Sequence, residues 1–287
     1  IGGSFDGMGD FLISDKELLD TFGVTAVYAT GEELDALESE ISAADIEAEI
    51  EKDNASYKVL EPFSKESHQR TVRNCLKVRR WIEKQQLSAF TVNFREIRPE
   101  NGLSIMPFME ACKAMERGIG YAGEGDVLTA AITGALMRGF GSATFVEIFC
   151  PDWKGGTLCL SHMGEFNPAL AAGTPEMKEI PFIFGDAEPP IVCYGRYKGG
   201  NAVFVNVFRD SEKYRMLISP VEMQDVADDR FAGTVRGWMK PCMPVADFLT
   251  AISRHGVTHH SSLVYGASLE ELEYFGRVLG LDVVCVK

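Results

Sequence analysis

Over residues 31–53, Leu34, Leu37, Ile41, Ile46 and Ile50 recur at roughly helical intervals among acidic residues. That spacing predicts an amphipathic helix or a pair of helices, with the charge run as its wet face. Upstream, Asp15 is placed to cap a short helix, and the β-branched run Val24 to Tyr28 predicts a strand. Ser64 is placed to cap a long helix over 65–86, where Val72, Leu76 and Ile82 fall near one side, and a strand over 88–94 follows. Its basic run, His68 to Arg80, reads as a solvated helix face. Pro107 opens a helix ending near Gly118, and Asp126 or Thr129 begins another that runs to about Arg138. Alternation of this kind predicts an α/β layer with a largely parallel sheet.

After about residue 142 the pattern becomes short apolar runs split by Gly and Pro, at 143–150, 157–161, 180–184, 191–197, 202–208 and 214–219. Such spacing predicts an antiparallel sheet or barrel, with Gly155-Gly156 and Gly199-Gly200 as hairpin turns and only two helices, at 244–254 and 268–279. The expected fold is therefore α/β: a parallel-sheet α/β domain over 1–142, then a mostly antiparallel, β-barrel-like domain with a few helices over 143–287.

Composition narrows the function classes. The chain has 287 residues, is 46% hydrophobic and carries a net charge of −14. The acidic balance argues against a nucleic-acid surface, since phosphate binding relies on Lys and Arg. No apolar run reaches the ~18 residues of a membrane span. Seven cysteines without regular spacing suggest free thiols and a cytoplasmic setting in place of a disulfide framework. The start, Ile-Gly-Gly, lacks an initiator Met and a secretory leader. It is read as the start of a fragment, with an upstream domain expected.

Four side chains carry the candidate chemistry: Glu124 in Gly123-Glu124-Gly125-Asp126, Glu147 within Ala143 to Phe149, His162 in Leu160-Ser161-His162-Met163, and His260 in Thr258-His259-His260-Ser261. An ionised carboxylate in a β-branched and aromatic run costs several kcal/mol unless a partner compensates, so Glu147 calls for a cation. Two carboxylates and two imidazoles form a mixed oxygen and nitrogen set suited to Mn²⁺, with Co²⁺ and Mg²⁺ as alternatives. Each residue also admits a plainer reading. Glu147 then belongs to a half-exposed strand, His162 is a hydrogen-bonded core histidine, and residues 259–260 are an ordinary loop.

Gly118-Ile119-Gly120-Tyr121-Ala122-Gly123 spells the dinucleotide fingerprint, but a helical pattern precedes it where a strand is required. The glycines read better as a sharp turn presenting Glu124 to a cavity. Met106, Met109, Met115, Trp81 and Trp238 fit core positions. No nucleophile elbow or Cys-x-x-Cys pair offers another chemistry.

The stretch from Met106 to Ala130, a helix leading into the Glu124 glycine loop, resembles the L-arabinose isomerase and L-fucose isomerase superfamily, nearer the arabinose branch. Phe145-Val146-Glu147, Ser161-His162-Met163-Gly164-Glu165 and Gly256-Val257-Thr258-His259-His260-Ser261 follow in that family's order, and the resemblance covers roughly 106–287. It implies Glu124, Glu147, His162 and His260 as metal ligands and the two glutamates as proton carriers. The implied activity is aldose–ketose isomerisation of a small sugar through an enediol, in a homo-oligomer. The family's N-terminal domain is absent. After Glu147 the chain reads Ile-Phe-Cys-Pro, where the family has an acidic and aromatic sequence, so sugar specificity does not transfer. The role of His259 is open. A non-catalytic carbohydrate-binding or regulatory module on the same scaffold is the alternative, with a metal hydrolase a weaker third.

Overall fold

Caps encoded in the sequence start most of the helices. In this computed structural model, which describes every residue except 212 and 227–229, four helices open on reciprocal capping boxes. They are α1 (Asp15–Phe22, capped by Ser14 and Glu17), α2 (Gly31–Glu38, Thr30 and Glu33), α3 (Ala43–Ser56, Ser42 and Asp45) and, near the C-terminus, α8 (Leu269–Val278, Ser268 and Glu271). Ser14, not Asp15, is the first cap, because Asp15 already has helical geometry at N1. The long helix α4 (Lys65–Lys84) starts at Ser64 as expected, α5 (Phe108–Glu116) follows Pro107, α6 (Val127–Phe140) is capped by Asp126, and α7 (Val245–His255) follows Pro244.

The strands are β1 (Lys58–Val59), β2 (Ala89–Thr91), β3 (Gly120–Ala122), β4 (Ser142–Asp152), β5 (Thr157–Leu160), β6 (Glu176–Glu179), β7 (Ile191–Arg196), β8 (Gly200–Asp210), β9 (Lys213–Gln224), β10 (Val235–Pro241), β11 (His260–Tyr265) and β12 (Asp282–Cys285). Six of them close a ring. β10, β5, β4, β11, β8 and β9 pair antiparallel in that order, and β9 returns to β10, which removes the open edges of a sheet. β12 adds parallel to β9, while β7, β6 and β1 extend the sheet from β10. The antiparallel barrel expected after 142 is thus present.

In the first half the parallel layer is narrower than expected. Among the described residues it is the two-stranded pair β2–β3, covered by α6. The run Val24 to Tyr28 is not a strand: Val27 and Tyr28 are 42% and 54% exposed and the segment joins no ladder. Its β-branched residues favour extended backbone, but a strand also needs a paired neighbour. The run 180–184 likewise lies outside the sheet, with β6 formed just before it. Gly199-Gly200 is no hairpin, since β7 pairs with β6 and β10 while β8 pairs with β9 and β11. Gly155-Gly156 does turn β4 into β5, its Asp152 Oδ1 accepting from the Lys154 and Gly155 amides at 3.2 and 3.0 Å.

One apolar cluster runs through both halves and includes Trp81, Met106, Met109, Met115, Phe145 and Phe204. Trp238 is only half-buried, against Phe231. The closest approach in the core is helix on strand. A Cβ at Gly120 would stand 2.3 Å from the Ala130 carbonyl oxygen and 2.4 Å from the Gly134 nitrogen. Gly120→Ala should therefore prise α6 from β3 and cost ~1–3 kcal/mol, seen as a lowered midpoint in urea unfolding; an unchanged midpoint would contradict this packing.

The polar faces differ most from expectation. On α4, Lys77 is buried against Asp35 and Glu38 at 3.1 and 3.0 Å, His68 meets Asp53 at 3.0 Å, and Arg79 bridges Glu49 and Glu110 at 2.6 and 2.7 Å. Lys113 joins Glu49 at 2.7 Å and also Asp53, and Arg117 joins Glu110. The basic run is therefore not simply a solvated face, whereas the acidic run is largely one, with Glu32, Asp35, Glu40 and Glu51 exposed and Glu49 and Asp53 buried. Helix α4 packs on α2, α3 and α5, and the charges turned into these seams become one another's partners.

Candidate metal centre

The loop from β3 to α6 delivers Glu124 under strain. Its φ is 63°, a left-handed conformation that costs a residue with a Cβ ~1–2 kcal/mol and persists only where the surroundings impose it. The surroundings here are tight. A Cβ at Gly125 would stand 2.4 Å from the Gly3 carbonyl oxygen, and one at Gly123 would stand 2.8 Å from His162 Cε1. The N-terminal segment therefore lies on one side of the loop and an imidazole on the other, which accounts for both glycines.

The barrel supplies the other groups. β4 and β11 pair with Glu147 directly opposite His260, so strand register alone makes these two neighbours across one ladder. His162 follows the end of β5, where the Ser161 amide still donates to the Glu147 carbonyl at 3.1 Å. Asn206 on β8 steadies the approach to β11, its Nδ2 donating to the carbonyl oxygens of Thr258 and His260 at 3.0 and 2.7 Å.

The four residues singled out in the sequence lie as two neighbouring pairs, Glu124 with His260 and Glu147 with His162. His260 Nε2 is 3.8 Å from Glu124 Oε2, His162 Nε2 is 3.9 Å from Glu147 Oε2, and the two imidazole centroids are 5.7 Å apart with Phe145 edge-on to both. His259 comes too, with Nε2 3.4 Å from Glu124 Oε2. One donor atom each from Glu124, His259 and His260 lie within 4.8 Å of one another. Glu124, Glu147 and His162 line a cavity of about 470 Å³.

The three imidazoles share one arrangement. Nδ1 of His162 is 2.8 Å from Glu165 Oε2, Nδ1 of His260 is 3.0 Å from Asp126 Oδ2, and Nδ1 of His259 is 2.7 Å from Asp10 Oδ2. At His260 and His162 a carboxylate at Nδ1 favours the proton there and Nε2 as the lone-pair nitrogen, which is how metal-bound histidines are oriented, whereas His259, with a carboxylate at each nitrogen, donates from both. Glu165 is itself held by Tyr121 Oη at 3.1 Å and the Gly164 amide at 2.9 Å. His260 is fully enclosed, stacked on Phe11 at 5.1 Å, and its Nε2 has no hydrogen-bond partner. A buried polar atom left in that state costs ~1–3 kcal/mol. A divalent cation among these oxygens and nitrogens would remove that cost, and the hard and borderline donors suit such an ion.

The electrostatics are those of acids facing bases. Burial acts to raise the Glu124 carboxyl, but the His259 hydrogen bond and the charges of His260, His162 and His259 outweigh it and hold the group below its ordinary range. Burial acts to lower His162, and Glu165, Glu147 and Glu124 together raise it. His259 is pushed up to about 9, against burial, by its hydrogen bonds to Glu124 and Asp10.

Four participants escaped the sequence reading. Glu165 and Asp126 stood inside the quoted segments, the first without a role and the second only as a helix start. Asp10 and Asn206 carried no signal, since each acts through distant folding: 249 residues separate Asp10 from His259.

Residues 16–140 match the family model of the L-arabinose isomerase central domain, and residues 142–282 match that of the L-arabinose isomerase C-terminal domain. Among similar proteins, L-arabinose isomerase of Oceanobacillus iheyensis is 27% identical over 217 residues, covering 73% of this chain and 45% of that protein. L-arabinose isomerase 1 of Clostridium acetobutylicum is 26% identical over 285 residues, covering 92% and 56%. L-arabinose isomerase of Pediococcus pentosaceus is 25% identical over 305 residues, covering 98% and 62%. The chain spans about half the length of the curated relatives it matches.

Proposed function

Because the chain belongs to the L-arabinose isomerase family, we propose that it catalyses a metal-dependent aldose–ketose interconversion of a small sugar. The observation that carries this reading is the set of imidazoles with Nδ1 on a carboxylate and Nε2 turned toward Glu124 or Glu147. Glu124, Glu147, His162 and His260 would hold the ion, with Mn²⁺ first and Co²⁺ or Mg²⁺ as alternatives. When bound, a divalent cation supplies Lewis-acid stabilisation of the negative charge that develops on the two sugar oxygens.

The side chains then divide the proton work. Isomerisation moves one hydrogen from C2 to C1 and another from the C2 hydroxyl to the C1 oxygen, through an enediol. One glutamate carries the carbon-bound hydrogen and the other serves the oxygens. General acid–base assistance of this kind contributes ~10²–10⁴-fold. His259, held by Asp10, hydrogen-bonds Glu124 and keeps that carboxyl ionised and ready to accept a proton. Phe11, Phe145 and the buried wall around His260 keep water from the far side of the site.

The reading carries further elements with it. A homo-oligomer follows from the resemblance, a cytoplasmic setting accords with seven free thiols, and a division near residue 142 accords with matched stretches that end at 140 and resume at 142. No helix among the described residues is long and apolar enough to cross a membrane.

The test is ketose formation from a panel of pentoses and 6-deoxyhexoses with Mn²⁺ added. Conversion that chelation abolishes and Mn²⁺ restores is expected. Metal-dependent sugar binding without conversion would instead identify a non-catalytic module. Gly123→Ala offers a finer check, since its methyl would displace the His162 ring. A misplacement of ~1 Å costs about 10²-fold in rate, so turnover should fall by that order, alongside the ~1–3 kcal/mol that overpacking costs in stability; unchanged turnover in folded protein would remove His162 from the site.

A further inference from the structure

His259 and His260 are consecutive, yet both imidazoles face one carboxylate. Neighbouring side chains on an extended strand point to opposite faces. Here the two ring centroids are 4.2 Å apart, with Nε2 of His259 3.4 Å and Nε2 of His260 3.8 Å from Glu124 Oε2. The backbone achieves this by bending at His259, just before β11 begins. Such a bend takes main-chain groups out of the ladder. β11 stays paired with β4 as far as His260 opposite Glu147, but its pairing with β8 ends at Ser262 opposite Val205.

The next residue of β8, Asn206, closes the gap with its side chain. It is buried, and its Nδ2 donates to the carbonyl oxygens of Thr258 and His260 at 3.0 and 2.7 Å, with Thr258 Oγ1 and Ser261 Oγ at 3.0 and 2.9 Å. Its Oδ1 accepts from the Thr258 amide at 3.3 Å, and Thr258 Oγ1 donates in turn to the His260 carbonyl at 2.8 Å. One carboxamide therefore holds main-chain groups on both sides of His259. A carboxylate in its place would offer acceptors only, and a hydroxyl a single donor.

We propose that Asn206 is a positioning residue of the candidate metal centre. Its amide stands in for the β8 main chain and fixes the bend that turns His259 and His260 together toward Glu124. It acts through the backbone of Thr258 to His260 and not on the reacting atoms. The inference rests on the metal-centre reading and adds to it the residue that sets the aim of two imidazoles. Partners that orient ligands from behind account for about 10–100-fold in metal affinity or activity.

The experiment compares Mn²⁺ affinity by calorimetry in the full-length parent, Asn206→Asp, Thr258→Val, Thr258→Ser and Ser219→Ala, with melting curves and metal-free crystals of each variant. Asn206→Asp keeps the shape but turns acceptors toward carbonyl oxygens, so affinity should fall at least about tenfold and the two rings should move off Glu124. Thr258→Val covers the case in which that variant does not fold, and it should weaken affinity in the same direction; Thr258→Ser, which keeps the hydroxyl, should match the parent. Ser219→Ala removes a buried hydrogen bond from β9 to the Val286 carbonyl and should lower the thermal midpoint at parent affinity, which separates aim from general loosening. Parent affinity in folded Asn206→Asp or in Thr258→Val overturns the proposal, as does an equal loss in Ser219→Ala, or rings that keep their places in the metal-free crystals. A parent that takes up no Mn²⁺ would sink the metal reading, and displaced rings in the metal-free variants would leave the role of Asn206 standing.

Discussion

Glu124→Gln protein should form ketose about 10³-fold more slowly than the parent, within the ~10²–10⁴-fold range of acid–base assistance, while its thermal midpoint stays close to the parent's. The amide keeps the size of the side chain but neither accepts a proton well nor balances a dication. It also cannot answer the acid–base pattern around it, in which His259 and His260 both face the Glu124 carboxylate. Glu147→Gln should behave alike, since Glu147 lies opposite His260 and next to His162. Initial rates with saturating Mn²⁺ and a melting curve decide the matter. Parent-like turnover in either variant would end the catalytic assignment of that residue.

The largest effect on stability is expected far from the cavity. Glu110 is fully buried and accepts from Arg79 Nε and Nη2 at 3.0 and 2.7 Å and from Arg117. Glu110→Ala would leave the Arg79 charge buried with only Glu49 beside it, and breaking a buried pair in this way costs ~3–5 kcal/mol. At ~2–4 °C per kcal/mol for a chain of this size, a fall of about 10 °C in thermal midpoint follows. A shift below ~2 °C would mean that solvent reaches the network.

The same network sets an acid limit. Burial acts to raise the Glu49 carboxyl, but Arg79 and Lys113 outweigh it and hold the group well below the usual carboxylate range. A folded value below the unfolded one means stability that is complete above the ordinary carboxylate pKa of ~4.3 and is lost as pH falls through the folded value. Urea midpoints measured between pH 6 and pH 3 should drop steeply in the parent and less steeply in Glu49→Gln. Parallel slopes would contradict the assignment.

How much of this was readable beforehand depends on what each residue answers to. Ser64, Pro107 and Asp126 mark helix starts through local hydrogen bonding and backbone restriction, and they lie where local rules put them. Glu124, Glu147, His162 and His260 stood out because each was odd for its immediate surroundings, and they are brought within reach of one another. What lay out of reach was pairing. Val24 to Tyr28 had strand composition without a partner, and β10 was missed because Val235 to Pro241 mixes Arg, Gly, Trp and Lys, a strand by virtue of the barrel around it. The charged faces of α3 and α4 read as wet because no local rule says that two helices will turn opposite charges toward each other. Asp10 is the extreme case, a loop residue whose only distinction is its contact with His259.

Anomalous diffraction from crystals soaked in Mn²⁺ tests the central claim most directly. The expected result is a single strong peak enclosed by the carboxylates of Glu124 and Glu147 and by Nε2 of His162 and His260. A map with no peak there, or with its peak elsewhere on the molecule, would contradict it.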